Sequence, residues 1–180
     1  MAYYYLVSQL PNISSAESKT NLPLTSEEFR ELACRFISED EKVIVNALSL
    51  VPSKELNSTG SAFLDTWYEK ERNLRLALAQ IRAQKMKKES VQLPAGMTAD
   101  IISAARTAVG MDSPLSAEQF LYQYRIDVIN QLAPLDQFSV DAVFAYGLKL
   151  MLAQRMKLFN EQTGMASYHT IYDRILGENT

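Results

Sequence analysis

Ser61-Ala62-Phe63-Leu64-Asp65-Thr66-Trp67-Tyr68-Glu69-Lys70-Glu71-Arg72-Asn73-Leu74-Arg75-Leu76-Ala77-Leu78-Ala79-Gln80-Ile81-Arg82-Ala83-Gln84-Lys85-Met86-Lys87-Lys88 contains neither proline nor glycine. Leu64, Trp67, Glu71, Leu74, Leu78, Ile81 and Lys85 recur every three or four residues. That spacing predicts one long helix over 61–88 with a coiled-coil-like seam. At 1.5 Å per residue it would span about 40 Å. Glu71 and Arg75 stand one turn apart, as an i, i+4 ion pair requires.

Outward from this rod the chain keeps a helical grammar. Thr25 with Glu28 and Ser38 with Glu41 have the spacing of capping boxes. The first predicts a helix over 26–37 with Phe29, Leu32, Ala33 and Phe36 on one face and Cys34 beside it. The second predicts a helix with Val43, Ile44, Ala47, Leu48 and Val51 inward, closed by Pro52. Residues 53–60 read as a loop, and Val91 to Gly96, with Pro94, as a break. A short helix is expected from Thr98 with Ile101, Ile102, Ala105 and Val109 inward and Gly110 as its C′ residue. A third box, Ser116 with Gln119, predicts a helix bearing Phe120, Leu121, Tyr124, Val128 and Leu132. Between Ser139 and Gln162 apolar residues cover more than one face, including Leu158 and Phe159, so this should be the most buried helix, ended by Gly164. A last helix over 166–176 would align Tyr168, Tyr172 and Ile175. Only Tyr3 to Val7 is short enough to be helix or strand.

The expected fold is therefore all-α: a single domain over 1–180, an antiparallel helical bundle with two long helices. Pro23 to Phe29 reads against Pro114 to Phe120, and Leu74 to Gln80 against Leu148 to Gln154. Either two pseudo-repeated helical units exist, with possible subunits 1–92 and 93–180, or helix starts and Leu/Ala-rich helices simply look alike.

Composition narrows function by exclusion. Eighteen Lys plus Arg against 21 Asp plus Glu leave a net charge of −3, which disfavours nucleic acid as a partner. A single Cys rules out an internal disulfide framework, and a single His rules out a multi-histidine metal centre. There is no P-loop and no GxGxxG. His169 reads as a surface residue, and Glu69 and Glu71 diverge around a helix, so no catalytic residue, cofactor or metal site is expected and the protein is read as no enzyme. The apolar run from Ala142 to Ala153 is interrupted by Lys149 and too short to span a membrane. The tyrosine-rich start lacks a basic leader, which points to the cytoplasm or at most a peripheral position on the membrane's inner face.

Residues 69–89 carry seven basic and three acidic side chains. This polarity either reflects the preference of cations for a helix C-terminus or offers a basic rod end to an acidic protein surface. On the second reading Arg72, Arg75, Arg82, Lys85 and Lys88 form an interface with Trp67 as its anchor. Tyr4 and Tyr5 are either a second anchor or core. Arg125 and Arg155 should pair with Asp127, Asp141 or another acid.

Tyr3-Tyr4-Tyr5-Leu6-Val7-Ser8-Gln9-Leu10-Pro11, the Trp67 to Gln84 segment with Asn73-Leu74-Arg75 and Ile81-Arg82-Ala83, and Ala145-Tyr146-Gly147-Leu148-Lys149-Leu150 together resemble an uncharacterised bacterial family encoded inside V/A-type ATP synthase operons. The resemblance implies an all-helical, non-catalytic subunit or accessory protein of a proton- or sodium-translocating ATPase. Its partners would be rotor or ring subunits, and its role would be like that of the C-type rotor subunit, which links the central stalk to the membrane ring. This chain is about half as long as that C-type subunit, so it has room for two repeated units where the longer protein has three. The competing expectation is a free-standing cytoplasmic helical adaptor between proteins.

Overall fold

The structure is a computed structural model that describes residues 2–13, 22–53, 58–89, 92–94, 96–159 and 161–177. Every regular element among them is helical: α1 (Ala2–Gln9), α2 (Ser26–Ala33), α3 (Glu39–Ala47), α4 (Ala62–Lys85), α5 (Ala99–Gly110), α6 (Pro114–Leu132), α7 (Val140–Lys157) and α8 (Glu161–Gly177). Residues 54–57 of the expected loop, and Val91 and Ala95 of the expected break, lie outside the described residues.

Local chemistry explains most boundaries. The Thr25 N–H donates to the Glu28 carboxylate at 2.8 Å while the Glu28 N–H donates to Thr25 Oγ1 at 3.2 Å, closing the box that starts α2. The Ser38 N–H donates to Glu41 at 2.8 Å at the start of α3. The third start is shifted. Ser113 Oγ accepts from the Ser116 N–H at 3.4 Å, and Pro114 occupies the first turn of α6, so the helix begins before the Ser116 and Gln119 pair. The Tyr3 to Val7 segment is helical, and Tyr3 donates its hydroxyl to Glu41, which with burial raises its pKa to about 12.

Two apolar clusters hold the helices together. In the first, Phe63, Leu64 and Trp67 of α4 meet Leu6, Phe29, Ala33, Val45 and Leu48 from the N-terminal helices, Val128 and Ile129 of α6, and the buried face of α7. In the second, Leu74, Ala77 and Leu78 of α4 meet Ile101, Ala104, Ala105 and Ala108 of α5 and Leu121 of α6. Neither cluster corresponds to residues 1–92 or 93–180, because α4 and α6 each contribute to both.

The directions of the helices follow from named contacts. Arg125 reaches Glu71, and Leu121 joins the cluster of Leu74 and Leu78 while Val128 and Ile129 join that of Leu64 and Trp67, so α6 runs against α4. Ser61 Oγ donates to Asp141 at 2.6 Å and Arg155 pairs with Glu118 at 3.2 Å, so α7 runs against α6 and along α4. Asp100 of α5 lies in the field of Lys70, whereas Lys85 Nζ donates to the Val109 carbonyl at 3.2 Å. Thus α5 runs parallel to α4, and the bundle is not antiparallel throughout. Second in length to α4, with 24 residues, is α6 with 19, not α7 with 18.

Several expected inward residues face out. Val43 and Ala47 are exposed while Val45 fills the core, so the short α3 is phased differently from its expected face; beyond it Leu48 is buried as expected and Val51 is exposed. Expected as one helix over 139–162, the chain instead ends α7 at Lys157 and exposes Leu158 and Phe159 before α8 begins. Gly164 lies within α8, and Gly110 is the last residue of α5. The sequence echo does not extend to packing. Phe29 is buried against Tyr146, with ring centroids 5.5 Å apart, whereas Phe120 is half-buried at the rim of the second cluster.

Candidate protein interface

The middle of α4 uses its charges internally. Glu71 is buried between the two clusters and accepts from both Arg125, at 2.8 and 3.0 Å, and Arg75, at 2.8 Å. Two guanidinium partners satisfy both carboxylate oxygens, which is what a buried charge requires. The expected Glu71 and Arg75 pair is present, and the acid that Arg125 finds lies 54 residues away instead of at Asp127 or Asp141. Arg75 also donates to the Leu50 carbonyl at 3.0 Å, and Arg72 to the Ser53 carbonyl at 3.0 Å. These two arginines tie the segment after α3 to α4. Trp67 is only 1% exposed, so the expected surface anchor is a core residue instead.

The basic residues at the end of α4 are arranged otherwise. Arg82, Lys85, Lys87 and Lys88 are all exposed. The helix closes with the Lys88 N–H on the Ala83 carbonyl at 2.9 Å and the Lys87 N–H on the Gln84 carbonyl at 3.0 Å, a Schellman cap. Its left-handed residue is Lys87, at φ 53°, where glycine would avoid the Cβ penalty. Lys85 donates to the Val109 carbonyl in the last turn of α5, where a helix end favours a cation.

The N-terminal tyrosines divide. Tyr3 turns inward to Glu41, but Tyr4 and Tyr5 are 56% and 66% exposed. The Tyr4 ring lies 5.0 Å from that of Phe138, itself exposed, which adds to the patch a residue that sequence spacing did not single out. Phe138 lies two residues before α7, whose start is bonded to Ser61 at the start of α4. The aromatic patch therefore lies near one end of α4 and the basic residues at the other, about 36 Å away for 24 residues. The eight sequence-singled residues do not form one surface.

An open groove of about 790 Å³ between α3 and α4 is lined in part by Val43, Ile44, Val51 and Tyr68. Several of its polar groups are engaged with one another. Asp65 accepts from Ser58 and Thr59, which outweighs the effect of burial and keeps its pKa low, and the Tyr68 hydroxyl accepts from the Ser49 N–H at 3.3 Å. Among the described residues no buried side-chain nitrogen or oxygen lacks a partner, and no group of three His, Cys, Asp or Glu residues is positioned to hold a metal ion. Cys34 is half-buried and accepts weakly from Asn46 at 3.9 Å, and His169 is exposed with its ring 5.7 Å from that of Tyr168. Lys149 is half-buried on α7, and desolvation lowers its pKa. No described helix is long and apolar enough to cross a membrane.

No curated protein and no solved structure matches the chain. Residues 99–179 match a family model described as "Protein of unknown function (DUF2764)", a stretch that runs from α5 through α8 and covers under half of the chain.

Proposed function

We propose that this protein is a non-catalytic docking subunit that presents the basic end of α4 to an acidic protein surface. In its specific form the partner is the rotor of a V/A-type ATPase, and the protein links the central stalk to the membrane ring as the C-type rotor subunit does. That form rests on the resemblance carried by the opening tyrosines, the Trp67 to Gln84 segment and the Ala145 to Leu150 segment.

The observation that carries the docking reading is the cap. Helix-end electrostatics accounts for Arg82 and Lys85, but not for Lys87, which carries its charge at a backbone conformation that favours glycine. A cost accepted at one exposed residue within a cationic cluster is what a binding surface would explain. Such a contact would be weakened by salt and would act mainly on encounter and register.

Joint charge reversal by Arg82→Glu, Lys85→Glu and Lys88→Glu tests it in the native host. With gently solubilised membranes, the tagged wild-type protein should recover ATPase head and ring subunits in fixed ratio. The triple variant should lose them while its far-UV circular dichroism is unchanged. Equal recovery by the variant would remove the basic end from the interface. Recovery of other proteins in place of ATPase subunits would favour the free-standing cytoplasmic adaptor, a reading that the exposed Tyr4, Tyr5 and Phe138 patch also suits.

A further inference from the structure

We propose that α8 is a homodimerisation helix, pairing antiparallel with α8 of a second copy of this chain. Every residue from Gly164 to Gly177 is exposed. Met165, Tyr168, Tyr172 and Ile175 follow a 3-4-3 spacing, the a and d positions of two heptads, with Ile171 and Leu176 on either flank. These six side chains are between 49% and 59% exposed. The stripe therefore faces outward from Met165 to Leu176.

Energetics says that this helix needs its stripe covered. Gly164 is a poor helix former, and Tyr168, His169, Thr170, Ile171, Tyr172 and Ile175 are mediocre ones. A 17-residue helix of this composition is marginal in water without tertiary packing. At the observed exposures the six residues present on the order of 600 Å² of surface, at the upper end of what monomers leave open. Two copies would bury on the order of 1,200 Å², the lower edge of stable protein interfaces.

The stripe's own chemistry favours a second copy over a lipid surface. A membrane-surface helix carries several Lys or Arg on its polar face, whereas α8 has one Arg, Arg174, next to Asp173, and no Lys. Antiparallel pairing centred on Thr170 sets Met165 against Ile175 and Tyr168 against Tyr172 of the other copy, and leaves Gly164 opposite the bulkier Leu176. The same patch then meets itself across a closed two-fold axis, and the two helix dipoles oppose.

Sedimentation equilibrium of the purified full chain, from roughly 1 to 100 μM, reads the association directly. The wild type should be a dimer, and Tyr168→Glu with Tyr172→Glu should be a monomer whose body melts at the wild-type temperature. A wild type that stays monomeric, or a double variant that stays dimeric, overturns the proposal. A monomer that co-sediments with phosphatidylglycerol vesicles overturns it in favour of lipid. For the register, in a Cys34→Ser background, Met165→Cys with Ile175→Cys should cross-link under mild oxidation while Met165→Cys alone should not. Cross-linking by the single variant would overturn the antiparallel arrangement.

Discussion

α7 and α8 are consecutive helices of nearly equal length, 18 and 17 residues, and have opposite fates. Val143, Phe144, Ala145, Gly147, Leu148, Leu150, Leu152 and Ala153 of α7 are buried, and α1, α2, α3, α4 and α6 all pack on that helix. None of the residues 164–177 is buried. Both helices are rich in apolar side chains; the difference is their distribution. Apolar residues all round a helix call for enclosure on every side, which the rest of this chain supplies for α7, whereas a single stripe leaves a polar face that tolerates water and one face for something else. Apolar content alone therefore says that a helix will be covered, and the angular spread of the apolar residues says by how many neighbours.

The sharpest way to break this contrast is to remove one large ring from each helix. Phe144→Ala should cost about 3–5 kcal/mol, read from denaturant unfolding followed by the fluorescence of the sole tryptophan, Trp67. Tyr172→Ala, measured at concentrations low enough to keep the chain monomeric, should stay within about 0.5 kcal/mol of the wild type. Glu71→Ala should also cost about 3–5 kcal/mol, because it strands the buried Arg125 guanidinium; a loss below about 1 kcal/mol would mean that water replaces the carboxylate there.

One glycine from each helix sharpens the contrast by sign. A Cβ at Gly147 would lie 2.7 Å from the Phe29 ring and 3.0 Å from Leu48, so Gly147→Ala should destabilise by about 1–3 kcal/mol. A Cβ at Gly164 meets nothing within 4 Å, and Gly164→Ala should increase helix content with a gain of about 0.5–1 kcal/mol in α8. Circular dichroism and thermal melts read both, and equal signs would erase the distinction.

The smallest effect is on pH. Burial would raise Asp65, but the Ser58 and Thr59 donors outweigh it, and a hydrogen bond from Thr98 is the main cause that lowers Asp100. Lowered carboxyls stabilise above the ordinary range near pH 4, and that contribution is lost as pH falls through it. Tyr3, raised to about 12, has the opposite sign and loses its contribution as pH climbs from about 10. The melting temperature of the body should therefore fall at both extremes.

Much of this was legible from spacing. The expected rod over 61–88 is α4 to within three residues at its end, and the Thr25 and Ser38 boxes start the helices that they predict. What failed had local causes. Ser116 has a good capping spacing, but Ser113 followed by Pro114 outcompetes it, because proline lacks an N–H and suits the first turn. The apolar pattern continues across Leu158 and Phe159, so periodicity alone joins α7 to the next segment, although Arg155 and Lys157 already mark a helix end. In nine-residue α3, Val43, Ile44 and Val45 are consecutive, and so short a run does not fix which one faces the core. For the surface residues, local charge density located Arg82, Lys85 and Lys88 correctly on the outside. Local charge density does not show that Arg72 and Arg75 meet carbonyls of the segment after α3, or that Trp67 is enclosed by the first apolar cluster, because those partners are set by tertiary packing.

Because α4 and α6 each serve both clusters, severing the backbone between α4 and α5 would not yield two foldable pieces. Each fragment would carry part of each core, one with Glu71 and the other with Arg125. The halves would have to find each other to fold at all, which makes that connection a natural position at which to split the protein into a complementing pair.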